Sequence, residues 1–109
     1  MRVTITARHC TLSEEVRERA RELLGRIGKL VPRARAAQAI FSEAHGTASV
    51  ELLLRATRGQ VLVGHADGAD HRSALDLAAD RVRRQLDKAL PRRTGAARRR
   101  AAARQGSPE

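Results

Sequence analysis

Residues 47–70 read TASVELLLRATRGQVLVGHADGAD, and two alternations with a tight break between them set the fold. Ala48, Val50, Leu52, Leu54 and Ala56 share one face of a strand, with Ser49, Glu51, Leu53 and Arg55 on the other, because successive strand side chains point to opposite sides. Arg58-Gly59 supplies a tight connection, and QVLVGHA from residue 60 reads as the hairpin partner. Asp67-Gly68 ends that strand, and Asp70 is placed to cap a helix. The helix carries an apolar stripe of Leu75, Ala78, Ala79, Val82, Leu86, Ala89 and Leu90, and Pro91 stops it.

Working upstream, residues 36–44 alternate through Ala37, Ala39 and Phe41 and lead into a turn at His45-Gly46. This is a strand pattern written in alanine, which has low strand propensity. Before it, Val16, Ala20, Leu23, Leu24, Ile27, Leu30 and Val31 recur at helical spacing, and Gly28 and Pro32 mark the helix end. Thr11 followed by Glu14 has the spacing of a capping box. Val3, Ile5 and Ala7 alternate with Thr4, Thr6 and Arg8, as in a half-buried first strand.

The expected order is therefore strand, helix, three strands, helix. These apolar faces close as an α+β two-layer βαβββα sandwich, with a four-stranded sheet and both helices on one face. The helix after the first strand crosses over the sheet, so that strand can pair in parallel with a later one. The folded domain is expected over residues 1–91. Residues 92–109 have no large apolar side chain and carry Arg92, Arg93, Arg98, Arg99, Arg100 and Arg104 against Glu109 alone. Such a segment cannot offset its ordering entropy by burial, and it reads as a basic disordered tail.

Composition narrows the function classes. The 109-residue chain has 22 basic and 12 acidic residues, a net charge of +10, which favours polyanionic partners. Phe41 is the only aromatic, which counts against binding that stacks bases on aromatic rings. Cys10 is the only cysteine, so there is no intrachain disulfide and no multi-cysteine metal site. His9 and Cys10 are adjacent on an extended segment and face opposite ways, which argues against a nucleophile–base pair. His45, His65 and His71 lack metal-ligand spacing, no Gly-rich phosphate loop occurs, and no cofactor, metal or small-molecule substrate is expected. MRVTITARHC lacks the apolar run of a signal peptide, and no membrane partner is expected.

The charges on the second helix are sorted. At about 100° per residue, Arg81, Arg84 and Lys88 gather on one outward flank and Asp76, Asp80 and Asp87 on the other, with Arg83 and Arg72 near the border with the core. Such sorting leaves a basic edge that continues into Arg92 and Arg93. The first helix also ends in Arg26 and Lys29, followed by Arg33 and Arg35. Together these form a candidate phosphate-tracking surface. A solvated helix face, a generic RNA- or DNA-binding module and a protein-interaction domain with a basic face remain open readings of the same pattern. His65 and His71 are further candidates for RNA contact.

Over roughly residues 1–91 the chain resembles the ribosome hibernation-promoting factor family, also called the ribosome-associated inhibitor or sigma-54 modulation protein (S30AE) family. The resemblance rests on VTITARH, TLSEEVRERA, RIGKL and above all GHADGADHRSALDLAADRVRRQLDK, in that order and spacing. It departs at His71-Arg72, where relatives usually carry an aromatic. The resemblance implies a βαβββα fold and a non-enzymatic cytoplasmic factor that occupies the mRNA/tRNA channel of the small ribosomal subunit. There it inhibits translation and preserves idle ribosomes under stress. It also implies rRNA contacts through Arg26, Lys29, Arg81, Arg83, Arg84 and Lys88. The chain resembles a short form, expected to be monomeric off the ribosome.

Overall fold

The computed structural model describes residues 1–89. Leu90, the Pro91 stop, Arg92, Arg93 and the rest of the expected tail lie outside the described residues. The chain runs β1 (Arg2–Arg8), α1 (Glu14–Leu30), β2 (Ala34–Ala44), β3 (Thr47–Ala56), a 3-10 turn (Thr57–Gly59), β4 (Val61–Gly68) and α2 (His71–Ala89). The strands form one sheet in the order β1-β2-β3-β4. β1 pairs with β2 in parallel, and the two later pairings are antiparallel. This is the α+β sandwich expected from the apolar patterning.

The alanine-rich β2 is an interior strand, bonded on both sides. Its backbone groups enter two ladders, and this tertiary pairing overrides the weak propensity of its side chains. Ala37 and Ala39 are small, but they lie in one buried cluster with Phe41, Leu24, Ile27, Leu52, Leu75 and Val82. Burying each of the larger side chains contributes roughly 1.5–3 kcal/mol. The hairpin joining β2 to β3 turns on His45 and Gly46, with φ of 53° and 76°. Two positive φ values match the twist of the flanking strands in a two-residue loop.

Both helices start on side-chain caps. Asp70 accepts from the Ser73 amide at 2.7 Å, as the sequence suggests. At α1 the cap is Ser13, whose Oγ accepts from the Val16 amide at 3.2 Å. The Thr11–Glu14 capping box is therefore corrected. The chain is still extended at Ser13, so Thr11 lies two residues short of the site where a hydroxyl can reach the orphan amides.

α2 lies unusually close to β4. A Cβ on Gly64 would stand 2.5 Å from the Ala78 carbonyl oxygen and 2.6 Å from Val82 Cγ2. Only a hydrogen at that position lets the helix backbone approach the strand so closely. β4 is also a sheet edge, and side chains of α2 hold two of its outward backbone groups. Gln85 Oε1 accepts from the Val63 amide at 2.7 Å, and Arg81 Nη1 donates to the His65 carbonyl. Side chains that occupy edge groups in this way hinder pairing with another chain there.

Candidate nucleic-acid interface

The topology aligns the two helices. α1 runs back across the sheet between the parallel strands β1 and β2, and α2 runs back along β4. Both helix C-termini therefore lie over the end of the sheet where β1, β2 and β4 begin. The salt bridge between Arg19 Nε and Asp76 Oδ1, at 2.8 Å, ties the N-terminal halves of the helices together. The Asp76 carboxylate, hydrogen-bonded to the guanidinium, holds Arg19 more firmly protonated than usual.

The bridge itself lines a groove of about 320 Å³ that the helices frame. Arg26 of α1 and Arg83 of α2 are both part of its lining, with Leu23, Ile27, Ala79 and the carboxylates of Asp76 and Asp80. Lys29 and Lys88 are exposed nearer the helix ends. Lys29, Arg83 and Lys88 have no carboxylate within 4 Å among the described residues. Arg26 and Lys29 on α1 and Arg83, Arg84 and Lys88 on α2 thus belong to the same end of the helical layer. Arg92 and Arg93 lie outside the described residues.

The flank sorting inferred for α2 needs correction at two positions. Arg84 is paired with Asp80 at 2.8 Å, so the helix does neutralise part of that edge. Arg81 is turned toward β4 and holds the His65 carbonyl. The helical projection placed Arg81 on a free flank because it contained no neighbouring strand. Arg26 likewise has a partner, Glu22 at 3.1 Å. These i,i+4 pairs are solvent-exposed and contribute only roughly 0.2–0.5 kcal/mol each. Such a pair is easily exchanged for a phosphate contact.

The charge pattern that survives runs along the helices. α1 carries Glu14, Glu15, Glu18 and Glu22 before Arg26 and Lys29, and α2 carries Asp76 and Asp80 before Arg83, Arg84 and Lys88. The bias is partial, since Arg17, Arg19 and Arg21 stand among the glutamates of α1, Arg72 opens α2 and Asp87 lies near its end. The net charge of each half nevertheless has the sign that complements the helix dipole. Two dipoles aligned in one direction therefore concentrate positive side chains at one end of the domain. Arg33 and Arg35, on the loop and strand that follow α1, extend this end and have no carboxylate within 4 Å among the described residues.

The other candidates separate cleanly. His71 Nε2 is 3.0 Å from the Ser42 carbonyl, and its ring meets Phe41 edge-on at 5.7 Å. It is a half-buried structural residue. His65 is exposed, 3.6 Å from Asp67. Cys10 packs at the core margin with its Sγ 3.6 Å from the Phe41 carbonyl. Among the described residues no cluster of His, Cys, Asp or Glu could hold a metal ion, and no helix is long and apolar enough to cross a membrane. Sequence reasoning passed over Arg2 and Arg55. They become neighbours only through strand register, which a one-dimensional pattern does not contain.

Comparison with known proteins gives a consistent picture. The family model for the sigma 54 modulation protein / S30EA ribosomal protein matches residues 3–94. No curated protein matches the chain. A ribosomal subunit interface protein from Coxiella burnetii is similar in structure, with a TM-score of 0.75 and 21% identity, over 84% of this chain and 100% of that one. The N-terminal domain of Thermus thermophilus Protein Y is similar with a TM-score of 0.69 and 21% identity, over 81% of this chain and 98% of that one. At this identity the likeness speaks for the fold.

Proposed function

The chain belongs to the sigma 54 modulation protein / S30EA ribosomal protein family, and on that premise we propose that it is a ribosome-associated translation inhibitor. It acts in the cytoplasm as a monomer off the ribosome, without catalysis or a cofactor. Its binding site is the mRNA/tRNA channel of the small subunit, and its ligand there is rRNA. Arg26, Lys29, Arg83, Arg84 and Lys88 contact phosphates, with Arg92 and Arg93 continuing the same surface. Arg81 contributes less to binding than its neighbours, because its guanidinium is already committed to the β4 edge.

The observation that carries this reading is the basic end of the helical layer. There Lys29, Arg83 and Lys88 are exposed without a carboxylate partner among the described residues, and Arg26 and Arg83 line one groove. Cations arranged in this way gain affinity by releasing counterions from RNA, a sequence-independent and salt-sensitive mode. The absence of any exposed aromatic fits contact with the backbone rather than with bases. Inhibition then follows from occupancy: a rigid domain seated in the channel excludes the ligands that normally fill it.

An in vitro translation assay tests the reading. The wild-type chain is expected to suppress synthesis, and ribosomes preloaded with mRNA and initiator tRNA are expected to resist it. The Lys29→Glu, Arg83→Glu, Lys88→Glu variant is expected to lose suppression while keeping its circular dichroism spectrum. Equal suppression by that variant, or equal binding to preloaded ribosomes, contradicts the reading.

A further inference from the structure

We infer that Arg2, Arg35 and Arg55 form a second RNA-phosphate site, on the sheet face away from the helices, so that the RNA-binding surface folds around the basic end of the domain. The inference rests on the RNA reading of that end and extends it to a face where neither helix contributes.

Strand register builds the site. Arg2 pairs with Ala36, Ala36 with Arg55, and Arg55 with Val61, so these residues form one row across all four strands. Val3, Ile5 and Ala7 pack toward the core, and Leu54 and Ala56 are buried. By alternation Arg2 and Arg55 point to the opposite, helix-free face. They are two strand spacings apart, about 10 Å, with only the Ala36 methyl between them.

Arg35 joins them through a backbone irregularity. Ala34 pairs with Ala56 and Ala36 with Arg55, so two steps on β2 match a single step on β3. That is a β-bulge with Arg35 as its extra residue, and bulges re-aim the side chain they carry. Arg35 accordingly lines the same groove of about 580 Å³ as Arg2 and Arg55, together with Ala36, Ala56 and Val61.

The charges in this groove are uncompensated. All three arginines are exposed, and none has a carboxylate within 4 Å among the described residues. An anion seated in the groove meets positive charge from three sides. Guanidinium groups suit forked contact with phosphate. The groove offers no aromatic to hold a base, since Phe41 is fully buried. Its ligand is therefore the sugar–phosphate chain of RNA rather than a nucleotide read by its base.

The test measures binding of a single-stranded 20-nucleotide oligouridylate by fluorescence anisotropy across a salt series, using the full chain. The Arg2→Gln, Arg35→Gln, Arg55→Gln variant is expected to lower the slope of log affinity against log salt by about 2, at about 0.7 per phosphate contact. The charge-matched control Arg8→Gln, Arg17→Gln, Arg72→Gln is expected to change it by less than about 0.5. Coincident slopes for the two triple variants overturn the proposal. Should the bulge variant fail to fold, Arg55→Gln alone carries the test, with an expected slope loss of about 0.7 and no loss as the overturning result. A separate variant, Arg26→Gln, Lys29→Gln, Arg83→Gln, Lys88→Gln, isolates the helical margins. If it binds like wild type while the sheet variant weakens, the helical reading fails and the sheet site stands.

Discussion

The two ends of this domain are built from the same residue types and differ in how many of their cations go unanswered. At the end where the helices begin, Asp70 and Ser13 cap helix amides, Glu14 and Glu18 approach Arg21, and Asp67 accepts from Ser49 Oγ at 2.7 Å. At the end where the helices finish, Lys29, Arg33, Arg35, Arg83 and Lys88 have no carboxylate within 4 Å among the described residues. The contrast shows that overall basicity is a poor guide to a binding surface. Arg8, Arg17 and Arg72 at the first end also lack a carboxylate within 4 Å among the described residues. The useful signal is therefore where unanswered cations crowd together, and here that depends on two helices pointing the same way.

The largest expected effect comes from breaking the piece that links the ends. Gly64→Val pushes a side chain into the Ala78 carbonyl and Val82, and overpacking of this kind costs about 1–3 kcal/mol or more. For a domain of this size each kcal/mol corresponds to roughly 4–8 °C in melting temperature. Thermal unfolding followed by circular dichroism reads the loss directly. A Gly64→Val variant as stable as wild type would show that α2 is free to ride away from β4, and that its cations are not fixed relative to α1.

A smaller effect sharpens the capped end. Ser13→Ala is expected to cost about 1 kcal/mol, whereas Thr11→Ala leaves stability nearly unchanged; denaturant titration separates them. Reversed magnitudes would restore the Thr11 capping box.

Smaller again is the pH dependence of the other cap. The hydrogen bond donated by the Ser73 backbone amide holds the Asp70 carboxyl below its ordinary value of 3.8. A depressed folded-state pKa stabilises the fold above the unfolded value, and the stabilisation fades as pH falls through the folded one. Asp70→Ala should therefore lower the melting temperature at neutral pH, and by progressively less below pH 3.8. A difference that persists unchanged at low pH would place the effect elsewhere than the carboxylate.

The smallest effect tests the exposed pairs at the basic end. Asp80→Ala and Glu22→Ala should each change stability by no more than about 0.5 kcal/mol, while strengthening oligouridylate binding by freeing Arg84 and Arg26. Weaker RNA binding in either variant would mean that the carboxylate positions its arginine rather than competing for it.

Much of the fold was legible because its signals are local. Alternation in β1, β3 and β4, the Asp70 cap and the helical stripes each fall within a few residues of sequence. β2 was the hardest strand to read, since two neighbours rather than its own alanines make it one. The candidate site was legible only in part. A helical projection identified Arg84 and Lys88 as outward-facing, but it could not reveal Arg81 on the β4 edge or the alignment that joins Arg26 to Arg83. Arg35 was a sequence candidate, but its meeting with Arg2 and Arg55 depends on register and on a bulge, both long-range properties.

Cosedimentation with small ribosomal subunits across a salt series compares the two ends most directly. Lys29→Gln, Arg83→Gln, Lys88→Gln and Arg8→Gln, Arg17→Gln, Arg72→Gln remove the same charge from opposite ends. The first variant should release the subunit at markedly lower salt, with a salt slope shallower by about 2, while the second tracks wild type. Identical release curves for the two variants would contradict a basic end that grips ribosomal phosphates.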